Sequence, residues 1–350
     1  IFGASSATAQ SGYVPSALKN ITVTGGTSIA ANAFRDLSNV TSISIPNTVT
    51  IIAAGAFQGC NALTDITLPF VGGSRTTGTS STSASTYLFG YIFGSGTFVG
   101  STTSSRTSPG ILSTVTSGTL RYQGQARYNW TNNGYGTYYH EYVGYYIPTT
   151  LRTVMITDAT GISANAFYNC NFLTSITLNS GVTTIGNNAF YGCSGITAFT
   201  VPTTVTSIGT SVFYNNTNLA SISLPSTLTA ISNYTFYGCN KLNNLTLPTE
   251  LRTIGNYAFY GNATLSALNL PSKVTSIGTN AFQNCTSLTT LTIPASVTSV
   301  GAQAFMGCTN ITTLTLNNGL QTIGTEAFRN LSKITTVTVP NSVTSIGAGA

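Results

Sequence analysis

The stretch Ser276–Pro294, SIGTNAFQNCTSLTTLTIP, decides how the chain is read, because nearly the same text returns every 23 residues. Its Phe282 belongs to a series, Phe167, Phe190, Phe213, Phe236, Phe259, Phe282, Phe305 and Phe328, spaced by 23 without exception. Phe34 and Phe57 show the same interval, which makes ten units in register. Self-similarity at a fixed period of this length is the signature of stacked repeats.

Within a unit the apolar positions are as regular as the phenylalanines. Counting from Phe236 they fall at Leu242, Leu245, Leu247, Leu251 and Ile254 before Phe259, and the next unit repeats them with Leu265, Leu268, Leu270, Val274, Ile277 and Phe282. Each unit reads as an extended piece such as LTTLTIP, a second short extended piece such as VTSVG, and a compact turn such as AQAFMGC. The first piece alternates, so one face is apolar and the other is a row of Thr and Ser. Proline lacks the N–H a strand ladder needs, so Pro225, Pro248, Pro271 and Pro294 mark strand ends. No unit buries its apolar row alone; stacking like residue over like residue at the ~4.8 Å strand spacing does so.

These units, LASISLPSTLTAISNYTFYGC at 219–239 among them, resemble the BspA-type leucine-rich repeats, a family of surface proteins, over residues 14–70 and 150–350. The resemblance implies a leucine-rich repeat solenoid, curved and right-handed, with a parallel β-sheet and short helical or 3-10 turns. It also implies adhesion or recognition of host and matrix molecules rather than catalysis.

Composition agrees with a stacked, extracellular scaffold. Only 5% of the residues are charged, against a usual quarter, and Ser, Thr, Asn and Gly fill the polar positions. The net charge of +6 comes from twelve Lys and Arg scattered over the whole length, without the clustering that a nucleic-acid surface needs. No run approaches the ~18 apolar residues of a membrane span.

Six cysteines, Cys60, Cys170, Cys193, Cys239, Cys285 and Cys308, each lie three residues after a unit's phenylalanine. The same slot holds Leu37, Asn216, Asn262 and Leu331 in other units, which reads as a small, partly buried position. Cys239 is flanked in the stack by Asn216 and Asn262 and has no partner. Cys170 with Cys193 and Cys285 with Cys308 would lie one strand spacing apart, but parallel in-register side chains do not readily give the ~90° torsion of a disulfide. Free buried thiols are the expectation. A metal site is not expected, since the row offers no second ligand type and the chain has one histidine.

Between Pro69 and Ile147 the period stops. The text there is first GGSRTTGTSSTSAST, then YLFGYIFGSGTFVG, then RYQGQARYNWTNNGYGTYYHEYVGYY. Where the repeat resumes, the spacings of Leu151, Val154, Ile156, Ile162 and Phe167 equal those of Leu18, Ile21, Val23, Ile29 and Phe34. YVPSAL at 13–18 resembles YIPTTL at 146–151, and the opening IFG resembles Ile92-Phe93-Gly94. The expected organisation is therefore the tail of a preceding inserted loop at 1–13, leucine-rich repeats at 14–70, an inserted Ser/Thr, Gly and Tyr-rich region at 71–146, and repeats at 147–350 that continue beyond the chain end.

Chemistry has little to work with. The six acids, Asp36, Asp65, Asp158, Glu141, Glu250 and Glu326, form no pair at neighbouring repeat positions for acid–base work. No nucleophile elbow or phosphate-binding glycine loop is present, so neither an enzyme nor a cofactor is expected. Two binding candidates remain. In the insertion, Arg121, Tyr122, Arg127, Tyr128, Trp130, Tyr135, Tyr138, Tyr139, His140 and Tyr142, with Tyr145 and Tyr146, concentrate the residue types that form interface hot spots. These rings read equally well as a structural knob on the flank of the solenoid. The other candidate is the outer strand face, with Thr290 and Thr292, Thr313 and Thr315, and Thr336 and Thr338 in rows that Ala198, Asn244, Ala267 and Asn269 interrupt. Solvated strand formers account for such a row.

The leading expectation is a non-enzymatic cell-surface or secreted protein that binds host or matrix protein or glycan, with no nucleic acid among its partners. The alternative is a structural subunit of an extracellular filament or surface layer, stacking end to end on other copies of itself.

Overall fold

A computed structural model describes residues 14–75, 85–100, 116–117, 120–128 and 140–350, with the backbone alone for 85, 95–100, 116–117, 120–128, 140–144 and 244. The expected loop tail at 1–13 lies outside the described residues. The architecture is a parallel-strand β-solenoid with a spacing of ~23 residues and almost no helix, as the period predicts. Contacts divide the chain into two compact units, Ile1–Ala159 and Thr160–Ala350.

In the first unit the strands Asn20–Thr22, Ser42–Ser44, Asp65–Leu68 and Thr153–Ile156 pair in parallel. Ile21 lies opposite Ile43, Ile43 opposite Ile66, and Ile66 opposite Val154. The long interruption between Leu68 and Thr153 therefore leaves the strand ladder in register. Threonine hydroxyls tie the rungs together: Thr64 Oγ1 donates to the Thr41 carbonyl at 3.0 Å, and across the interruption Thr150 Oγ1 donates to the Leu63 carbonyl at 2.8 Å.

Phe93 explains how the frame survives. The Phe34 N–H donates to the Ala56 carbonyl at 2.8 Å, and in the same way the Phe57 N–H donates to the Ile92 carbonyl at 2.9 Å. Phe34 and Phe57 stack at 5.6 Å and 8°, while Phe57 meets Phe93 at 6.1 Å and 51°. Phe93, at the end of the 3-10 helix Phe89–Phe93, thus takes the next place in the phenylalanine row, tilted instead of stacked. Gly94 follows at φ 88°, a left-handed turn that glycine makes at no steric cost.

From Gly94 the chain leaves the solenoid. Ser95–Gly100 pairs antiparallel with His140–Pro148, which pairs on its other side with Leu120–Tyr128, and Thr116–Ser117 forms the far edge. The return is close to the departure, since Ser95 lies opposite Tyr145 and the Tyr146 N–H donates to the Gly94 carbonyl at 3.2 Å. The Leu151 N–H then donates to the Pro148 carbonyl, repeating the bond from Leu63 to Cys60. The antiparallel sheet emerges between the phenylalanine slot and the cysteine slot of one repeat.

The second unit carries two rows of parallel strands. The longer row includes Ala198–Thr200, Ser221–Ser223 and Asn244–Leu245, then Thr290–Ile293 with Thr313–Leu316. The shorter row runs through Thr253–Ile254, Ser276–Ile277, Ser299–Val300 and Thr322–Ile323, so both extended pieces of the opening stretch pair as expected. The longer row lapses at LSALNLP, 265–271, where no strand forms although Leu265 and Leu268 remain buried. Ala267 and Asn269 stand there in place of Thr, and both are poor strand formers.

The phenylalanines form the spine of the core. Phe167, Phe190, Phe213, Phe236, Phe259, Phe282 and Phe305 have no exposed surface. Successive rings lie 5.0 to 5.8 Å apart and within 17° of parallel from Phe167 to Phe328. Each turn around a phenylalanine uses left-handed residues, such as Asn165 and Asn169 around Phe167 and Asn280 and Asn284 around Phe282. Asparagine tolerates that region better than other side chains.

Candidate functional site

The backbone places part of the insertion's aromatic cluster on adjoining strands. Arg121, Tyr122, Arg127 and Tyr128 lie on Leu120–Tyr128, and His140 and Tyr142 on His140–Pro148. Their register sets Tyr128 opposite His140, Arg127 opposite Glu141, Ala126 opposite Tyr142 and Tyr122 opposite Tyr146. Trp130, Tyr135, Tyr138 and Tyr139 lie outside the described residues. Where the insertion rejoins the solenoid, Tyr145 is buried and packs edge-on against Tyr91 at 6.3 Å.

The second sequence candidate is split by the structure. Thr290 and Thr292 lie opposite Thr313 and Thr315 with all four exposed, whereas Thr336 and Thr338 lie on no strand. A groove of about 870 Å³ opens elsewhere on the second unit. It is lined by Thr177, Thr200, Ser221, Ser223 and Thr246 with Ile176, Phe199 and Ile222, and its lining includes no charged side chain.

The five acids whose side chains are described are occupied as single charges. Glu250 meets Lys273 at 2.6 Å, Asp36 meets Arg35 at 3.3 Å, Asp158 pairs with Arg75, and Glu326 pairs with Arg329. Asp65 accepts a hydrogen bond from Thr64 Oγ1 at 2.7 Å. Among the described residues no cluster of His, Cys, Asp and Glu could hold a metal ion.

Where it holds cysteine the slot is completely rather than partly buried, whereas Leu331 in the same slot is half-buried. All six cysteines are unbridged and have no exposed surface. Cys60, Cys193 and Cys239 donate Sγ–H to the carbonyls of Phe34, Phe167 and Phe213 at 3.0 Å, and Cys285 donates to that of Phe259 at 3.3 Å. Burial raises the thiols far above their usual value, to about 12 for Cys60, Cys239 and Cys308. They are protonated packing groups, not nucleophiles, because nucleophilicity belongs to the thiolate.

One feature of the turns escaped the sequence reading. Tyr168, Tyr191, Tyr214, Tyr237 and Tyr260, each the residue after a row phenylalanine, stack face to face at 4.4 to 4.7 Å and within 7° of parallel. Beside them Tyr234 and Tyr257 stack at 4.9 Å and 7°. The signal was present, since five consecutive units repeat Phe-Tyr at the same interval. Tyr234 and Tyr257 sit at φ 58° and 56°, where other units place Asn, Ser, Gln or Glu. A bulky ring in that region costs ~1–2 kcal/mol. Stacking on the neighbouring rings offsets that strain, each aromatic pair contributing ~0.5–1.5 kcal/mol.

Parallel strands stacked at ~23-residue spacing define a solenoid of repeats. The chain belongs to the BspA type Leucine rich repeat region family, which it matches over residues 14–85, 160–289 and 229–350. Protein binding or recognition is the role that this family suggests, generally without catalysis. Similar solved structures include a Leucine Rich Repeat protein of T. pallidum, at 25% identity over 57% of this chain and 86% of that one, with a TM-score of 0.39. A leucine rich cell surface protein of Faecalibacterium prausnitzii is similar at 20% identity, over 95% of this chain and 88% of that one, with a TM-score of 0.40. A leucine-rich repeat protein of Eubacterium ventriosum is similar at 22% identity, over 83% and 82%, with a TM-score of 0.43. No curated protein matches the chain. No helix among the described residues is long and apolar enough to cross a membrane.

Proposed function

We propose that the chain is a non-enzymatic recognition protein of the cell surface or extracellular space that binds host or matrix protein or glycan through the sheet inserted between Gly94 and Tyr145. The observation that carries this reading is the unbroken register of Asp65–Leu68 with Thr153–Ile156. The scaffold closes on itself without the insertion, so the insertion's strands and their Tyr and Arg content are surplus to the repeat. By contrast, the repeat's own polar groups are largely spent on neighbouring repeats. Thr183, Thr275 and Thr298 give their hydroxyls to carbonyls 23 residues earlier, and Asn233 Oδ1 accepts from the Asn256 N–H at 2.8 Å.

Large aromatic and arginine side chains dominate the binding energy of interfaces. Trp130→Ala and Arg127→Ala are expected to weaken binding to immobilised matrix glycoproteins or to arrayed glycans by about 30-fold each, the ~2 kcal/mol of an interface hot spot. Binding that persists at full strength in both variants contradicts the placement. Purified chain that assembles into filaments with an axial subunit repeat replaces the reading by that of a structural subunit.

A further inference from the structure

We propose that the tyrosine stacks of the second unit are a site of oxidative cross-linking, in which a haem peroxidase with hydrogen peroxide joins tyrosines of neighbouring repeats as dityrosine. The geometry fits the bond that has to form. A phenoxyl radical carries unpaired spin on its oxygen and ortho carbons in π orbitals perpendicular to the ring. Two radicals therefore couple when their faces meet, with one ortho carbon above another. Tyr214 and Tyr237 lie 4.4 Å apart at 1°, Tyr237 and Tyr260 4.7 Å apart at 3°, and Tyr234 and Tyr257 4.9 Å apart at 7°. The pairs within one repeat do not meet this condition, since Tyr234 and Tyr237 are inclined by 47° at 6.1 Å and Tyr257 and Tyr260 by 43° at 5.9 Å.

The chemistry balances. Each phenol gives one electron and one proton to the oxidant, the two ortho carbons form a C–C bond, and each then releases its hydrogen as a proton to the phenol oxygen as the rings regain aromaticity. The pair loses two electrons and two protons in all, which reduce one hydrogen peroxide to two waters. Access is available, because Tyr234 is exposed and Tyr191, Tyr214, Tyr237, Tyr257 and Tyr260 are half-buried. The phenylalanine row beneath them has no oxidisable group. The consequence is structural: the six cysteines are unbridged, so dityrosine would tie one repeat to the next covalently. Such a link closes a short loop and raises stability chiefly by restricting the unfolded chain, as a disulfide does.

The test treats the dilute full chain with haem peroxidase and hydrogen peroxide, and maps cross-linked peptides by mass together with dityrosine fluorescence. The expected products are intramolecular links, two hydrogens lighter, between stacked tyrosines of adjacent repeats, with a higher melting temperature for the treated chain. Tyr214→Phe keeps a stacked ring but removes the phenol. That variant should lose the links from Tyr214 to Tyr191 and Tyr237 while keeping those of Tyr237 with Tyr260 and of Tyr234 with Tyr257. Coupling confined to separate chains or to the insertion overturns the proposal. So do links between Tyr234 and Tyr237, or an equal yield of the same links from urea-unfolded chain.

Discussion

Raising the pH from 7.5 to 9.5 should remove most of the stability of the second unit. Cys170, Cys193, Cys239, Cys285 and Cys308 are buried, and desolvation is the largest cause holding each thiol above its ordinary range, at about 12 for Cys239 and Cys308. An unfolded thiol titrates near 8.5. Below that value both states keep the proton, and the contribution to stability is complete. Above it the unfolded chain releases protons that the folded chain retains, so stability falls with pH until the folded values are reached. Between pH 7.5 and 9.5 each thiol costs ~1.4 kcal/mol in all, and five together cost roughly 7 kcal/mol. That matches the ~5–15 kcal/mol that folded domains possess. Tyr214, also pushed to about 12 chiefly by burial, acts in the same direction at higher pH. Urea unfolding followed by circular dichroism across this range gives the slope. Cys239→Ala should reduce it by one proton's share, and stability that stays level to pH 10 contradicts the burial of the row.

The second large effect is expected from Phe236→Ala. The ring has no exposed surface and stacks on Phe213 at 5.5 Å and on Phe259 at 5.2 Å. Removing it costs ~3–5 kcal/mol through lost burial and the cavity left behind. In a stack where each repeat touches only its neighbours, the loss also uncouples the repeats on either side, so unfolding should broaden. Phe34→Ala should cost less, since Phe34 is 7% exposed and its described stacking contact is with Phe57. A loss below ~1 kcal/mol for Phe236→Ala would show that the row does not carry the core.

Much of this architecture is legible in the chain because a solenoid writes each contact many times. The phenylalanine interval, Pro294 at the end of Thr290–Ile293 and the alternation in LTTLTIP correspond to observed elements, whereas Pro271 closes a stretch where no strand forms. Physics that depends on neighbours was harder to read. Phe93 takes its place in the row out of period, and only the echo between the opening IFG and Ile92-Phe93-Gly94 hinted at it. The lapse at 265–271 was present in the text as Ala267 and Asn269, the residues that break the threonine row. The tyrosine stacks are marked in the sequence by the spacing of Phe-Tyr alone, while the insertion carries the denser aromatic text. The left-handed backbone of Tyr234 and Tyr257 has no local signal, since propensity argues for Asn or Gly there and the cross-repeat stacking that offsets it is not local.

The most direct test of the division between scaffold and binding surface is to close the insertion at its neck. Gly96 lies opposite Gly144 in the register, so residues 97–143 can be replaced by Asn-Gly, which favours a two-residue hairpin turn. Binding of this variant and of the full chain to the same matrix glycoproteins and glycans would be compared alongside thermal unfolding. The expected result is an unchanged unfolding midpoint and complete loss of binding. Binding retained by a folded variant would contradict it and move recognition to the repeats themselves.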